Sequence, residues 1–484
     1  MNLPSIILIV LDTARAKSFS CYDYKRNTTP NIDIMGKKNV LFENAYAPAS
    51  WTLPSHASMF TGLFPIEIPS QIGDLSSCEE ILTLPRILKR IGYYTAGISS
   101  NYLISDTFGF RRGFDRFFKV WQLFNSPHDI FYIKRRIRKD LFSAVKHVIK
   151  GLSKDNPLVE LANLLYRKYY SDVIRNSIRT AEKATIILQK QLYSIKNSQV
   201  PGFLFINYMC THNDYNPPAY DRRLFINEGE KRKASQDAIG YYMGENHLDV
   251  EDFIYLTKLY DAELHYVDRN VGQIFDALEE SKLSDNTMVI VTSDHGEHIG
   301  EHNHINHLFS VYQEIIHVPL IIKYPGDSLN ARREEKYISL KDLVYLIDEV
   351  LNGKLAKYLQ GEPLRNRQYI ISSMNCQTAH LNISSDAGNK HEKLDRSLLL
   401  DKFAVISDGY KLIKSTNNEI EFYNIKKDPT EENNLAKCAN MALQKQSLAV
   451  TLDNWLNKYS GRKRAWEKEI SREVIRNLEA LGYM

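Results

Sequence analysis

An α/β fold with a large, mostly parallel sheet is predicted by two observations. Three short apolar runs, Ile6 to Val10, Phe203 to Ile206 and Met288 to Val291, have the length and continuity of strands buried on both faces. Each empties into polar residues suited to chemistry: Asp12, His212 and the pair Asp294-His295. Ligands collect at the carboxyl ends of strands in open α/β sheets, so these three exits are candidates for one site. The second observation is alternation. Strand candidates at Val40 to Phe42, Tyr94 to Ile98 and Val318 to Ile322 are interleaved with helical segments such as Leu82 to Ile91 and Asp261 to Ser281.

The remaining segments follow in chain order. Residues 121–196 interrupt the alternation with a long, mostly helical, basic stretch and read as an insertion. Within it Ile133, Ile137, Leu141, Val145, Val148, Ile149 and Leu152 form an apolar stripe at helical spacing, flanked by Lys134, Arg135, Arg136, Arg138, Lys139, Lys146 and Lys150. A basic amphipathic helix over 131–152 either packs on the main domain with solvated lysines or makes peripheral contact with an anionic membrane surface or an acidic substrate. From about Tyr337 the character changes. Ser339 to Leu351 is a helix candidate, and Phe403 to Ile406, Lys411 to Lys414 and Ile420 to Tyr423 alternate like antiparallel strands. The expected division is a catalytic domain over 1–336 and a smaller α+β subdomain over 337–484.

At 484 residues the chain exceeds a single average domain, and a large core with a smaller appendage accounts for it. A net charge of +4 over this length is too small to indicate a nucleic-acid partner, and none is expected. The five cysteines, Cys21, Cys78, Cys210, Cys376 and Cys438, are scattered and odd in number, so reduced thiols are expected rather than a disulfide framework. The N-terminus lacks a basic leader, and the run Ile6 to Leu11 is far shorter than the roughly 20 residues of a membrane span. A cytoplasmic location is the expectation.

Four motifs carry the chemistry. Ile9-Val10-Leu11-Asp12-Thr13-Ala14-Arg15 places an acid after the first strand. Trp51-Thr52-Leu53-Pro54-Ser55-His56 places a hydroxyl just before a Pro-Ser-His turn. Tyr208-Met209-Cys210-Thr211-His212-Asn213 places a histidine after a strand, and Val289-Ile290-Val291-Thr292-Ser293-Asp294-His295-Gly296-Glu297 places an acid and an imidazole side by side. Carboxylate oxygens with an adjacent imidazole suit a divalent cation. Five of the fourteen histidines, His295, His298, His302, His304 and His307, crowd one loop region.

Together with Gly409-Tyr410-Lys411-Leu412-Ile413 and Asp428-Pro429, these motifs resemble the sulfatase family of the alkaline phosphatase superfamily. The resemblance covers Ile6 to Pro325 and Phe403 to Tyr483. It implies the alkaline phosphatase-like fold, with helices flanking the large sheet, and an ester hydrolase. It also implies one divalent metal ion (Ca, Mg, Mn or Zn) bound by Asp12, Asp294 and His295 together with the Thr52 hydroxyl. The family oxidises a Cys or Ser at the position of Thr52 to formylglycine; threonine cannot become an aldehyde, so no formylglycine is expected. His56 stands where the family has Arg, and Thr13 where it has a second metal-binding Asp. His307 stands where a lysine usually touches the substrate's sulfate, and is assigned to the substrate anion. His212 matches a histidine on the leaving-group side and is the candidate general acid. Tyr208, four residues before it, occupies the spacing where two-metal phosphodiesterases carry an Asp, which argues for one metal. Glu297 is expected to support the loop, while His298 and His304 are either solvent-facing or ligands of a second metal.

The resulting expectation is cleavage of a phosphate ester, preferably a diester, or of a sulfate ester, through Thr52. A pocket whose Arg and Lys are replaced by His56 and His307 has less fixed positive charge and should favour a monoanion. The alternatives are a true sulfatase using Thr52 directly, a phosphotransferase to another hydroxyl, and a non-catalytic binding protein. The expected partner is an anionic ester carrying a glycan or a lipid head group.

Overall fold

The computed structural model describes residues 3–70, 73–122, 163, 178–230, 232–327, 331–363, 368–375 and 395–459. The expected basic helix over 131–152, Cys376 and the closing residues 478–483 lie outside them. In chain order the strands are β1 (Ser5–Leu11), β2 (Val40–Tyr46), β3 (Tyr94–Ser99), β4 (Arg116–Lys119), β5 (Gly202–Tyr208), β6 (Thr287–Thr292), β7 (His298–Ile299), β8 (Ile305–Asn306), β9 (Leu320–Lys323), β10 (Arg332–Ser339), β11 (Ile370–Met374), β12 (Lys402–Ser407), β13 (Tyr410–Ser415) and β14 (Ile420–Asn424). Eight of them form the large sheet, in the order β10-β2-β9-β6-β1-β5-β3-β4. Only β9 runs against its neighbours, β2 and β6.

The continuous apolar runs reflect burial on both faces. Ile6, Leu8, Val10, Phe203, Phe205, Met288 and Ile290 point to one side, against Phe60, Phe110, Leu343 and Ile347. Ile7, Ile9, Leu11, Leu204, Ile206, Val289 and Val291 point to the other, against Leu188, Leu192, Tyr260 and Leu264. The long helix on that second side spans Val250–Glu280 and starts at Asp249, whose side chain accepts from Asp252 N in a capping box. It begins eleven residues before the Asp261 expected from periodicity.

Two boundaries differ from the sequence reading. The helix Ile178–Ser198 buries Ala181, Ala184, Leu188, Leu192 and Ile195 in the main core, so the last part of the expected insertion is a covering helix of the α/β fold. Strand β10 crosses the expected 336/337 division and pairs with β2 from Arg332 to Ser339. The helix Leu343–Val350 that follows packs Leu343, Val344 and Ile347 into the large core. We propose that the smaller unit starts between Leu355 and Ile370.

That unit is an antiparallel sheet, β11-β12-β13-β14. One face carries Phe403, Val405, Leu412 and Phe422 under Leu448, Leu452 and Trp455 of the helix Ala442–Lys458. Its other face, with Ile370, Ala404, Ile406 and Ile413, packs on Tyr46, Val311, Ile315 and Ile316 of the larger unit. No helix among the described residues is long and apolar enough to cross a membrane.

Candidate active site

Parallel pairing brings the polar exits together. Leu11 of β1 lies beside Tyr208 of β5, and Val10 beside Thr292 of β6, so residues 12, 209–212 and 293–295 leave the sheet at one edge. The chain turns sharply after Asp12 because Thr13 adopts a left-handed conformation, φ 60°. Its amide donates to Asp294 Oδ1 at 3.2 Å and its hydroxyl folds back onto Asp12 O at 2.7 Å. Thr13 thus braces the turn.

The two carboxylates are each held by one oxygen. Asp12 Oδ2 accepts from Asn101 Nδ2 at 2.8 Å, and Asp294 Oδ1 accepts from the amides of Thr13 and His295. Asp12 Oδ1 and Asp294 Oδ2 are buried with no hydrogen-bond partner. His295 donates from Nδ1 to Gly296 O at 2.9 Å, since a carbonyl only accepts. Its Nε2 therefore faces the carboxylates, 3.5 Å from Asp294 Oδ2 and 4.0 Å from Asp12 Oδ1. Two orphaned carboxylate oxygens and an imidazole lone pair fit a divalent cation, and a ligand atom from each of Asp12, Asp294 and His295 falls within 4.8 Å of the others. Burial, reinforced by the Asp294 charge, pushes Asp12 up to about 6. Burial pushes Asp294 up to about 7 and His295 down to about 3. Without a cation, both acids resist ionisation.

Thr52 opens the helix Thr52–Thr61, so the Pro54-Ser55-His56 segment expected as a turn is part of a helix. Its Oγ1 lies 3.3 Å from His295 Nε2. The first turn of a helix carries unpaired amides and a positive partial charge, an environment that favours an alkoxide. The helix is anchored by Ser55, whose hydroxyl donates to Asp294 O at 2.6 Å. His56 sits one turn on and is fully buried. It donates from Nδ1 to Thr52 O at 3.0 Å, lies 3.4 Å from Asp294 Oδ2, and meets Phe110 and Phe205 edge-on. Burial lowers its pKa to about 3. A neutral ring packed against the first turn of this helix braces the Thr52 carbonyl and brings no fixed charge.

His307 and His212 extend the line of imidazoles. The His307 ring centroid is 4.5 Å from that of His295 and 5.2 Å from that of His212. His212 donates from Nδ1 to Asn213 O at 2.6 Å. Although burial alone would lower its pKa, the Asp12 and Glu297 carboxylates raise it. His307 is held well below the usual value by burial and then by His212. Its Nδ1 meets Glu297 Oε1 at 2.9 Å.

The other loop histidines stand apart from this group. His298 is buried rather than solvent-facing, bonded through Nε2 to Ser310 Oγ at 2.6 Å. His304 bonds Tyr242 OH at 3.1 Å, and His302 stacks on Tyr312 at 4.0 Å. Among the described residues only Asp12, Asp294 and His295 group as metal ligands. Asn101 was missed from sequence although it follows the predicted strand Tyr94 to Ile98, where the rule that found Asp12 and His212 applies equally.

Comparison with known proteins gives a consistent picture. The family described as Sulfatase matches residues 4–352, and the C-terminal domain described as that of N-sulphoglucosamine sulphohydrolase matches residues 300–458. An N-acetylglucosamine-6-O-sulfatase of Bacteroides thetaiotaomicron is 23% identical, over 94% of this chain and 87% of that protein. Among solved structures, the phosphonate monoester hydrolase of Agrobacterium radiobacter superposes with a TM-score of 0.62 at 18% identity, covering 94% of this chain and 96% of that one. A protein solved in complex with its substrate D-glucosamine-2-N,6-O-disulfate superposes with a TM-score of 0.61 at 18% identity, covering 97% of this chain and all (100%) of that one.

Proposed function

The chain belongs to the sulfatase family of ester hydrolases, and from that premise we propose that it cleaves an anionic ester with Thr52 as nucleophile. The observation that carries this reading is the Thr52 hydroxyl at the head of its helix, 3.3 Å from His295 Nε2 beside the Asp12 and Asp294 carboxylates. A divalent cation held by Asp12, Asp294 and His295 would polarise the ester oxygens and ease loss of the Thr52 proton.

In the proposed reaction Thr52 Oγ1 gives up its proton to solvent water and attacks phosphorus or sulfur in line, and the bond to the leaving-group oxygen breaks. His212 hands that oxygen a proton from Nε2 while Nδ1 stays on Asn213 O. Water then releases the product from Thr52. An aldehyde route is closed to this chain, because a threonine side chain carries no primary alcohol or thiol to oxidise. Phosphoryl transfer suits a hydroxyl nucleophile, and a monoanionic diester suits a pocket in which His56 and His307 bring no fixed charge.

A second reading is a sulfuric ester hydrolase that uses Thr52 directly; it is favoured by the relatives' activities, among them the N-acetylglucosamine-6-O-sulfatase. The same relatives support a glycan as leaving group. The four described cysteines, Cys21, Cys78, Cys210 and Cys438, are unpaired, which supports a reducing, cytoplasmic setting. The test is a panel of sulfate, phosphomonoester, phosphodiester and phosphonate esters assayed with Mg, Mn, Ca and Zn, with Thr52→Ala as control. Diester turnover above that of monoesters and sulfate esters supports the first reading, and sulfate release alone selects the second.

A further inference from the structure

Glu297 is fully buried at the centre of the histidine group, within the loop that follows β6. Its Oε1 is 2.9 Å from His307 Nδ1, and its Oε2 accepts from Asn213 N at 3.3 Å and from Tyr215 OH at 3.4 Å. Asn213 is the residue whose carbonyl takes the Nδ1 proton of His212. One carboxylate therefore touches His307 directly and holds the peptide that orients His212. A carboxylate can only accept, which places the His307 proton on Nδ1 and leaves Nε2 as the ring atom open to a ligand. Metal-site and catalytic imidazoles elsewhere are fixed in the same way, by an oxygen acceptor on the nitrogen that does not act.

We propose that Glu297 is the positioning residue of this site, setting the tautomer of His307 and, through Asn213, the placement of His212. This rests on the reading that both histidines serve the ester site, and deepens it. Glu297 itself acts only through these partners. Its replacement by glutamine has a specific consequence. The amide offers one acceptor oxygen, which the Asn213 N–H and the Tyr215 O–H can share as they share Oε2 in the wild type. Turning the oxygen to them turns the amide N–H₂ toward His307 Nδ1, and the ring must then carry its proton on Nε2.

The test is ¹⁵N-histidine NMR of the full-length protein, with the His307 signals assigned by their loss in His307→Gln. In the wild type His307 is expected as the Nδ1–H tautomer. Glu297→Gln is expected to invert it to Nε2–H, and Glu297→Ala to remove the bias toward Nδ1–H. Divalent-metal binding followed by calorimetry on the same samples should persist in both variants, weakened by loss of the neighbouring carboxylate charge, since Glu297 is not among the three metal ligands. A change of His307 tautomer in either variant with metal binding kept supports the proposal. Retention of the Nδ1–H tautomer in both variants, or an Nε2–H tautomer in the wild type, overturns it. The readout needs no turnover, so failure of the ester-cleavage reading leaves it interpretable.

Discussion

Asn101 Nδ2 donates to Asp12 Oδ2 at 2.8 Å, which leaves Oδ1 of the same carboxylate buried and unpaired beside the equally unpaired Asp294 Oδ2. An uncompensated pair of buried acids makes the metal-free protein sensitive to pH. Both have folded pKa values above the ordinary 3.8, at about 6 and about 7, so the native state binds more protons than the unfolded state. The contribution of these two acids to metal-free stability should be greatest at the acid end and fall as pH rises from about 4 through 7, against the opposite slope of the buried His56 and His295, whose lowered pKa values favour the native state as pH rises. A saturating divalent cation should abolish the contribution of the two acids. Thermal melts with and without chelator across this range check both.

Asp12→Asn and Asp294→Asn each remove a ligand charge and should weaken divalent-metal binding by 10-fold or more, on the order of the losses seen even for residues that merely support metal ligands. Relieved of a buried charge, the metal-free variants should melt no lower than the wild type at pH 7. Calorimetric titration and melting of the same samples measure the two effects separately.

His212→Gln should separate leaving groups. If His212 protonates the departing oxygen, the variant should lose about 10²- to 10⁴-fold in kcat on esters of alkyl alcohols, and far less on a 4-nitrophenyl ester whose leaving group needs no proton. Equal losses on both would remove the acid role.

Gly296 separates His295 from Glu297 and has no room for a side chain, since a Cβ there would lie 2.0 Å from Glu314 O. Gly296→Ala should cost about 1–3 kcal/mol or more and weaken metal binding by displacing His295. Denaturant unfolding and metal titration check it.

In the smaller unit, Lys411 and Glu431 are buried together at 2.8 Å. Lys411→Met should cost about 3–5 kcal/mol because it strands the Glu431 charge. Adding Glu431→Leu to it should recover much of the loss. A double-mutant cycle by urea unfolding measures the coupling.

What the sequence disclosed follows from which signals are local. The strands β1, β5 and β6 were legible because burial on both faces makes them continuously apolar, and their polar exits named Asp12, His212, Asp294 and His295. Strand β10 was not, because an edge strand reading Arg-Arg-Glu-Glu-Lys looks like a solvated run. The helix Thr52–Thr61 is short and holds a proline in its first turn, so its pattern reads as a turn until Leu53, Ala57 and Phe60 are seen packed in the core. Glu297 was legible as a supporting residue, but its partners Asn213 and Tyr215 lie 84 and 82 positions away in sequence. The burial of His56 behind Thr52 depends on Phe110 and Phe205, which no spacing rule connects to it.

The central claim is that Thr52 is the nucleophile. Acid-quenched enzyme taken during turnover of a metal-supported ester, digested and mapped by mass spectrometry, tests it most directly. The account predicts a substrate-derived phosphoryl or sulfuryl group on Thr52, with neither adduct nor turnover in Thr52→Ala. Continued turnover in which the group is found on another residue, or on none, would contradict it.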